Sequence, residues 1–117
     1  MTHSMPTDGD VYEIVRMELR RGSLILAVLG LLRGEHYGYT LRKELAAVGV
    51  EIDESALYPM LRRLESQGLL TSAWREEAKR NKRFYRLSAE GEAVLARLMT
   101  DWRALNQSLD HILGEKM

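Results

Sequence analysis

The sequence predicts a mostly α-helical chain that carries one small β-hairpin and ends in a long helix. Three observations predict it. Apolar residues recur at helical spacing in separate stretches along the chain, one segment rich in β-branched and aromatic residues surrounds a charged turn, and the last apolar stripe alternates by three and four. The 117 residues, 45% of them hydrophobic, suffice for one small domain and exclude two large ones. A chain of this size buries only about two-thirds of the surface that its unfolded form exposes, so a partner subunit is expected to add stability.

The polar opening Met1-Thr-His-Ser-Met-Pro-Thr-Asp-Gly-Asp10 predicts a disordered lead-in over residues 1–10. Val11, Val15 and Leu19, with Ile14 beside them, then form the stripe of an amphipathic segment whose apolar face requires cover. That segment extends into Ser23–Leu32, which is apolar on nearly all sides and reads as a buried helix closed by Gly34 as a C-cap. A second helix starts at Gly38, with Leu41, Leu45 and Val48 inward, and closes at Gly49.

The third helix runs to Gly68, capped by Asp53 or Ser55, with Leu57, Leu61 and Leu64 as its inner stripe. Pro59 lies near its start, where a proline forfeits at most one intrahelical bond. At 100° per residue, Ser55, Pro59, Arg62, Arg63 and Ser66 face away from the leucines and Tyr58 sits on the flank. Leu69–Arg75 and Arg83–Leu87 read as two strands joined by the charged stretch from Glu76 to Lys82, with Asn81 making the turn. Ser88 caps a final helix in which Leu95, Leu98, Trp102, Leu105, Leu109 and Ile112 occupy heptad a and d positions. About 25 residues of helix span roughly 37 Å, more than so small a domain covers with its own core. A second chain is the natural cover.

This order of elements is that of a winged helix-turn-helix domain, in which the third helix can enter the DNA major groove. The expected organisation is a lead-in over 1–10, the winged domain with its helical extension over 11–88, and a dimerisation helix over 89–117. Charge distribution agrees. Seventeen Lys and Arg balance seventeen Asp and Glu, yet residues 20–88 hold thirteen basic against eight acidic residues while both flanks are acidic. Arg75–Arg86 alone holds six basic residues.

Enzymatic function finds little support. The chain has no cysteine, its histidines at 3, 36 and 111 lie in different segments, and no glycine-rich phosphate loop occurs. No cofactor or metal site is expected; His111 and Glu115 stand one helical turn apart, but two ligands near a chain end make a weak site. The longest apolar run, Leu24–Leu32, is far short of the ~20 residues of a spanning helix, and the absence of thiols fits a reducing cytoplasm.

The runs Arg21–Leu32, His36-Tyr-Gly-Tyr-Thr-Leu41, Ser55–Leu70 (SALYPMLRRLESQGLL) and Lys82–Gly91 (KRFYRLSAEG) closely resemble the PadR-like family of bacterial transcriptional regulators. The resemblance is close over residues 20–91 and holds in pattern for the last helix, and the single C-terminal helix looks like the compact subfamily. It implies a homodimer joined through the first and last helices that binds an inverted-repeat operator and represses a nearby gene. The expected DNA contacts are Arg62 and Arg63 from the third helix, Ser55 and Tyr58 through hydroxyls, Lys79, Arg80, Lys82 and Arg83 from the wing tip, and Tyr39 to a phosphate. Tyr37 and Tyr85 are expected in the core, and Met60 and Met99 as packing.

Trp102, as a heptad position on a dimerising helix, would meet its symmetry mate near a two-fold axis. Two indoles could sandwich a planar aromatic effector, with Trp74 contributing from the wing base; some compact members of the family resemble this arrangement. The alternative is a winged-helix module that binds protein instead of DNA. It predicts an apolar exposed face on the third helix, where this chain has Ser55, Arg62, Arg63 and Ser66.

Overall fold

The computed structural model describes residues 8–114. Helix α1 (Asp8–Leu31) is followed by a two-residue strand β1 (His36–Tyr37), helix α2 (Gly38–Ala47), helix α3 (Glu54–Ser66), strands β2 (Leu70–Glu77) and β3 (Arg80–Leu87), and helix α4 (Ala89–Leu113). The expected mostly helical chain with a β-hairpin and long last helix is what forms. Residues 8–10 are the first turn of α1, so the expected lead-in is corrected there, and residues 1–7 lie outside the described residues. Gly22 does not interrupt the helix.

The core is the meeting point of four leucine-bearing faces. Val28 and Leu29 of α1, and Leu32 just after it, meet Leu41 and Leu45 of α2, Leu57, Leu61 and Leu64 of α3, and Leu70, Tyr85 and Leu87 of the hairpin. Most of these side chains exclude water entirely, and burying each stabilises the fold by roughly 1.5–3 kcal/mol. Met60 and Met99 pack against this cluster, as expected. Val48 was expected to point inward; it is instead the exposed C-cap of α2, because the chain turns out through Gly49 at φ +84°. Gly34 is not a left-handed cap either: among the described glycines only Gly49, Gly68 and Gly114 have positive φ.

The sheet has three strands in the order β1-β3-β2, one more than the hairpin expected from sequence. β1 pairs His36 with Tyr85 and Tyr37 with Phe84, so the segment before α2 extends the wing. The hairpin turn is also tighter than expected. β2 and β3 pair from Leu70–Leu87 out to Glu77–Arg80, leaving only Ala78 and Lys79 to reverse the chain at φ 53° and 65°. Positive φ at both central residues is what a two-residue hairpin needs to follow the strands' twist. Asn81, expected in the turn, pairs with Glu76 in the ladder.

The end of the hairpin is stitched to the helices around it. Leu87 N–H donates to the Leu32 carbonyl at 2.8 Å, Ser88 N–H to the Leu69 carbonyl at 3.0 Å, and the Ser88 hydroxyl to the Gly68 carbonyl at 2.6 Å while accepting from Gly91 N–H at 2.9 Å. Ser88 is therefore the N-cap of α4, as expected.

The two long helices outrun this core. The Cα radius of gyration is 17.7 Å, against the ~13 Å of a compact chain of this length. Val11, Ile14, Val15 and Leu19 on α1, and Leu105, Leu109 and Ile112 on α4, are exposed. Leu95 was expected in a dimer interface. It belongs instead to the chain's own core, 4% exposed, because the first turns of α4 still lie against the winged domain.

Candidate nucleic-acid interface

Helix α3 presents two chemically opposite faces. Leu57, Leu61 and Leu64 are buried, while Ser55, Pro59, Arg62, Arg63 and Ser66 are exposed, the arrangement expected from their spacing. Among the described residues, neither Arg62 nor Arg63 forms an ion pair, so both guanidinium groups keep their full set of donors. Ser66 turns its hydroxyl back to the Arg63 carbonyl at 2.7 Å. Arg42 of α2 is 2.8 Å from Glu54, which ties the second helix to the first turn of the third.

Tyr58 packs against the start of α2. It is half-buried, and its ring lies directly against Gly38, where a Cβ would meet the ring and hydroxyl. The glycine is what lets α2 begin so close to α3. Tyr58 thereby helps to set the geometry of the motif.

The wing sorts its cations into two groups. Lys79 and Arg80 are exposed at the tip with no ion-pair partner among the described residues. Lys82 and Arg83 were expected beside them, but strand β3 carries both back along the hairpin and gives them intramolecular partners. Lys82 lies 3.5 Å from Glu77, reaches the Tyr37 hydroxyl at 3.3 Å, and sits 4.4 Å over that ring. Arg83 faces the opposite side of the sheet, where Nη2 donates to Glu65 Oε1 at 2.9 Å and Nε to Ser72 Oγ at 2.9 Å. Ser72 Oγ in turn donates to Glu65 Oε2 at 2.5 Å, closing a three-residue ring of hydrogen bonds between α3 and the wing.

A second clamp lies on the other face. Arg75 stacks 3.8 Å above Phe84 and contacts Glu35 at 2.8 Å, and that hydrogen bond holds the Glu35 carboxyl below its ordinary range and raises Arg75. Tyr85, buried as expected, has its hydroxyl pKa raised, mainly by desolvation. Tyr37 is half-buried and meets Phe84 edge-on at 5.2 Å.

Tyr39 is exposed at the first turn of α2 and stacks with Tyr37 at 6.3 Å. With Arg42, Lys43, Ala46, Glu51, Ile52 and Asp53 it lines an open groove of about 470 Å³ beside the turn between α2 and α3. Trp102 lines a different and almost wholly apolar cavity of about 380 Å³ between α1 and α4, with Gly22, Ile25, Leu26, Leu98, Asp101 and Leu105. Trp74 was expected to share the site of Trp102. It does not line that cavity, because it stands exposed on β2 in register with Arg83.

Sequence reasoning missed β1, too short to show a periodicity, and the partners Glu65 and Ser72. One signal was present: Glu65 is a carboxylate close to Arg62 and Arg63 on α3. No group of three or more potential metal ligands occurs among the described residues, and Glu115, one helical turn from His111 in sequence, lies outside them. No helix of the described residues is long and apolar enough to cross a membrane.

Comparisons with known proteins agree with this geometry. Residues 25–97 match the family model described as the transcriptional regulator PadR-like family. The chain is 36% identical over 98 residues to transcriptional regulator Rv3488 of Mycobacterium tuberculosis, covering 83% of this chain and 89% of the relative. A crystal structure of a PadR family transcriptional regulator from Eggerthella lenta superposes with a TM-score of 0.86 at 41% identity, covering 90% of this chain and 94% of that one. A transcriptional regulator from Clostridium thermocellum gives 0.72 at 28% identity, covering 80% and 96%. With its free arginines on α3 and free cations at the wing tip, the chain belongs to the PadR-like family of transcriptional regulators and is a DNA-binding regulator, not an enzyme.

Proposed function

We propose that the chain acts in the cytoplasm as a homodimeric repressor of an inverted-repeat operator, released by a small planar aromatic effector. The observation that carries the DNA half of this reading is the set of unpaired cations on the outer face of α3 and at the wing tip. Lys82, Arg83, Arg75 and Arg42 have carboxylate partners, whereas Arg62, Arg63, Lys79 and Arg80 have none among the described residues. Free cations on a helix that fits the major groove and on a wing tip beside it suit phosphates and base edges. Ser55 adds a hydroxyl from the first turn of α3, and Tyr39 one from α2.

The dimer half of the reading rests on uncovered apolar surface. Leu105, Leu109 and Ile112 on α4, with Val11, Val15 and Leu19 on α1, stand exposed to water, and half-buried Trp102 lies one turn before Leu105. Joining two copies by these helices relates their α3 helices by a two-fold axis, which requires a symmetric operator. The apolar cavity beside Trp102 would then be closed by the partner and suits a flat hydrophobic ligand.

Selection of bound duplexes from a random pool, with the solution mass measured alongside, tests the operator and the dimer together. An enriched inverted repeat bound by a dimer is expected. Titration of an aromatic-compound panel against Trp102 fluorescence tests the effector, and operator release with Trp102 fluorescence unchanged would remove Trp102 from the site. A protein-interaction module would instead bind random duplex at no salt concentration.

A further inference from the structure

Apart from the α1 and α4 surface, the exposed large hydrophobic side chains among the described residues are Tyr39, Val48 and Trp74. Val48 is a helix cap, and Tyr39 lies on the motif already described. Trp74 has no such account. The indole is 64% exposed on an edge strand, where it is open to a partner outside the folded chain.

Its placement is specific. Register puts Leu70, Ser72, Trp74 and Glu76 of β2 on one face of the wing, opposite Leu87, Tyr85, Arg83 and Asn81 of β3. This is the face on which α3 packs, since Glu65 of α3 binds both Ser72 and Arg83 there. Arg62 lies one turn earlier on α3 and is exposed. Trp74 therefore stands in the corner between the exposed flank of α3 and the wing, about 7 Å beyond Ser72 and about 13 Å short of the turn at Ala78.

Its chemistry suits a nucleic-acid backbone more than an apolar partner. The Arg83 guanidinium 5.7 Å from the ring is committed to Glu65, so it leaves the outer ring face open while holding the inner one. The indole N–H has no hydrogen-bond partner among the described residues. A sugar–phosphate strand offers both complements at once, the apolar face of deoxyribose and a phosphate acceptor for the N–H. With α3 in a major groove and the wing tip at the adjoining minor groove, the strand that separates the two grooves must cross this corner.

We propose that Trp74 is a DNA-contacting residue, whose indole packs on the sugar face of the backbone strand between the grooves held by α3 and by the wing tip. This rests on the DNA-binding reading above and assigns Trp74 away from the effector cavity. An apolar contact displaces no counterions, whereas a cation on phosphate does, so the two leave different marks on the salt dependence of binding.

The experiment measures affinity of the full-length protein for the duplex recovered by selection, or for random-sequence duplex, across a series of salt concentrations, comparing wild type with Trp74→Ala, Trp74→Phe and Arg80→Gln. Expected are a loss of about tenfold in Trp74→Ala at every salt concentration with the logarithmic slope unchanged, most of the affinity kept in Trp74→Phe, and a slope reduced by about one in Arg80→Gln. The melting temperature and solution mass of Trp74→Ala should match wild type. Unchanged affinity in Trp74→Ala, an equal loss in Trp74→Phe, or a loss accompanied by a lower melting temperature or a reduced slope would each overturn the assignment. Failure of the wild type to bind duplex at any salt would overturn the DNA-binding reading with it, while normal wild-type binding beside an unaffected Trp74→Ala overturns the assignment alone.

Discussion

The ring formed by Glu65, Ser72 and Arg83 should couple the stability of α3 to that of the wing. Replacing Arg83 by Met removes two hydrogen bonds of 2.9 Å and leaves the Glu65 carboxylate held by Ser72 alone. The side chains of Arg83 and Glu65 are 35% and 25% exposed. Their pair thus falls between surface ion pairs, worth about 0.2–1 kcal/mol, and fully buried ones, whose disruption costs about 3–5 kcal/mol. A loss of about 1–2 kcal/mol is expected for Arg83→Met, and somewhat less for Glu65→Gln, whose amide oxygen can still accept. Because the two substitutions break the same contact, the double variant should lose less than their sum, with a coupling of about 1 kcal/mol. Urea unfolding at one fixed protein concentration measures all three variants, the fixed concentration being needed because a dimer's apparent stability depends on it. Additive losses, with coupling below about 0.3 kcal/mol, would refute the reasoning by showing that solvent screens the pair as it does at an open surface.

Gly91→Ala should destabilise the fold by more than about 3 kcal/mol, since its Cβ would run into the Leu69 carbonyl, a backbone atom unable to step aside; soluble expression and thermal melting would show it, with a wild-type melting temperature as the refuting result. Replacing Ala78-Lys79 by Asn-Gly should stabilise the chain by about 1 kcal/mol by relieving two left-handed non-glycine residues, and should at the same time lower the salt slope of DNA binding by about one through loss of Lys79. For Glu35, the folded-state carboxyl is depressed below its ordinary value of 4.5, chiefly by the hydrogen bond from Arg75. That contribution is complete above pH about 4.5 and is lost as pH falls through the lower folded value, so the melting-temperature gap between wild type and Arg75→Gln should be constant near neutrality and close on acidification. A gap that widens in acid would contradict the sign.

How far the sequence could be read followed the range of the interaction involved. Leucine spacing determined α2, α3 and their buried faces, because a 3.6-residue period and a 100° stripe are properties of a single segment. The Ser88 cap and the polar face bearing Arg62 and Arg63 were legible for the same reason. Strand β1 was not, since two residues carry no period and pair only because β3 is waiting beside them. Leu95 and Leu109 share one heptad stripe, yet one is buried in the chain's own core and the other is exposed, because the domain ends partway along α4.

The functional charges divide along the same line. Composition and sequence determined that the wing would be basic, and the family motifs determined what kind of protein carries it. Which cations remain free for DNA was decided only in the folded chain. A charge is neutralised by whatever lies within about 4 Å, and the partners of Arg83 and Arg75 are 18 and 40 residues away in sequence. Pairing register then turned Lys82 and Arg83, adjacent in sequence, to opposite faces of the sheet, and set Trp74 on the side of α3 instead of beside Trp102. Local periodicity is written residue by residue in the chain, whereas electrostatic partnership is a property of distance in space, which the fold alone establishes.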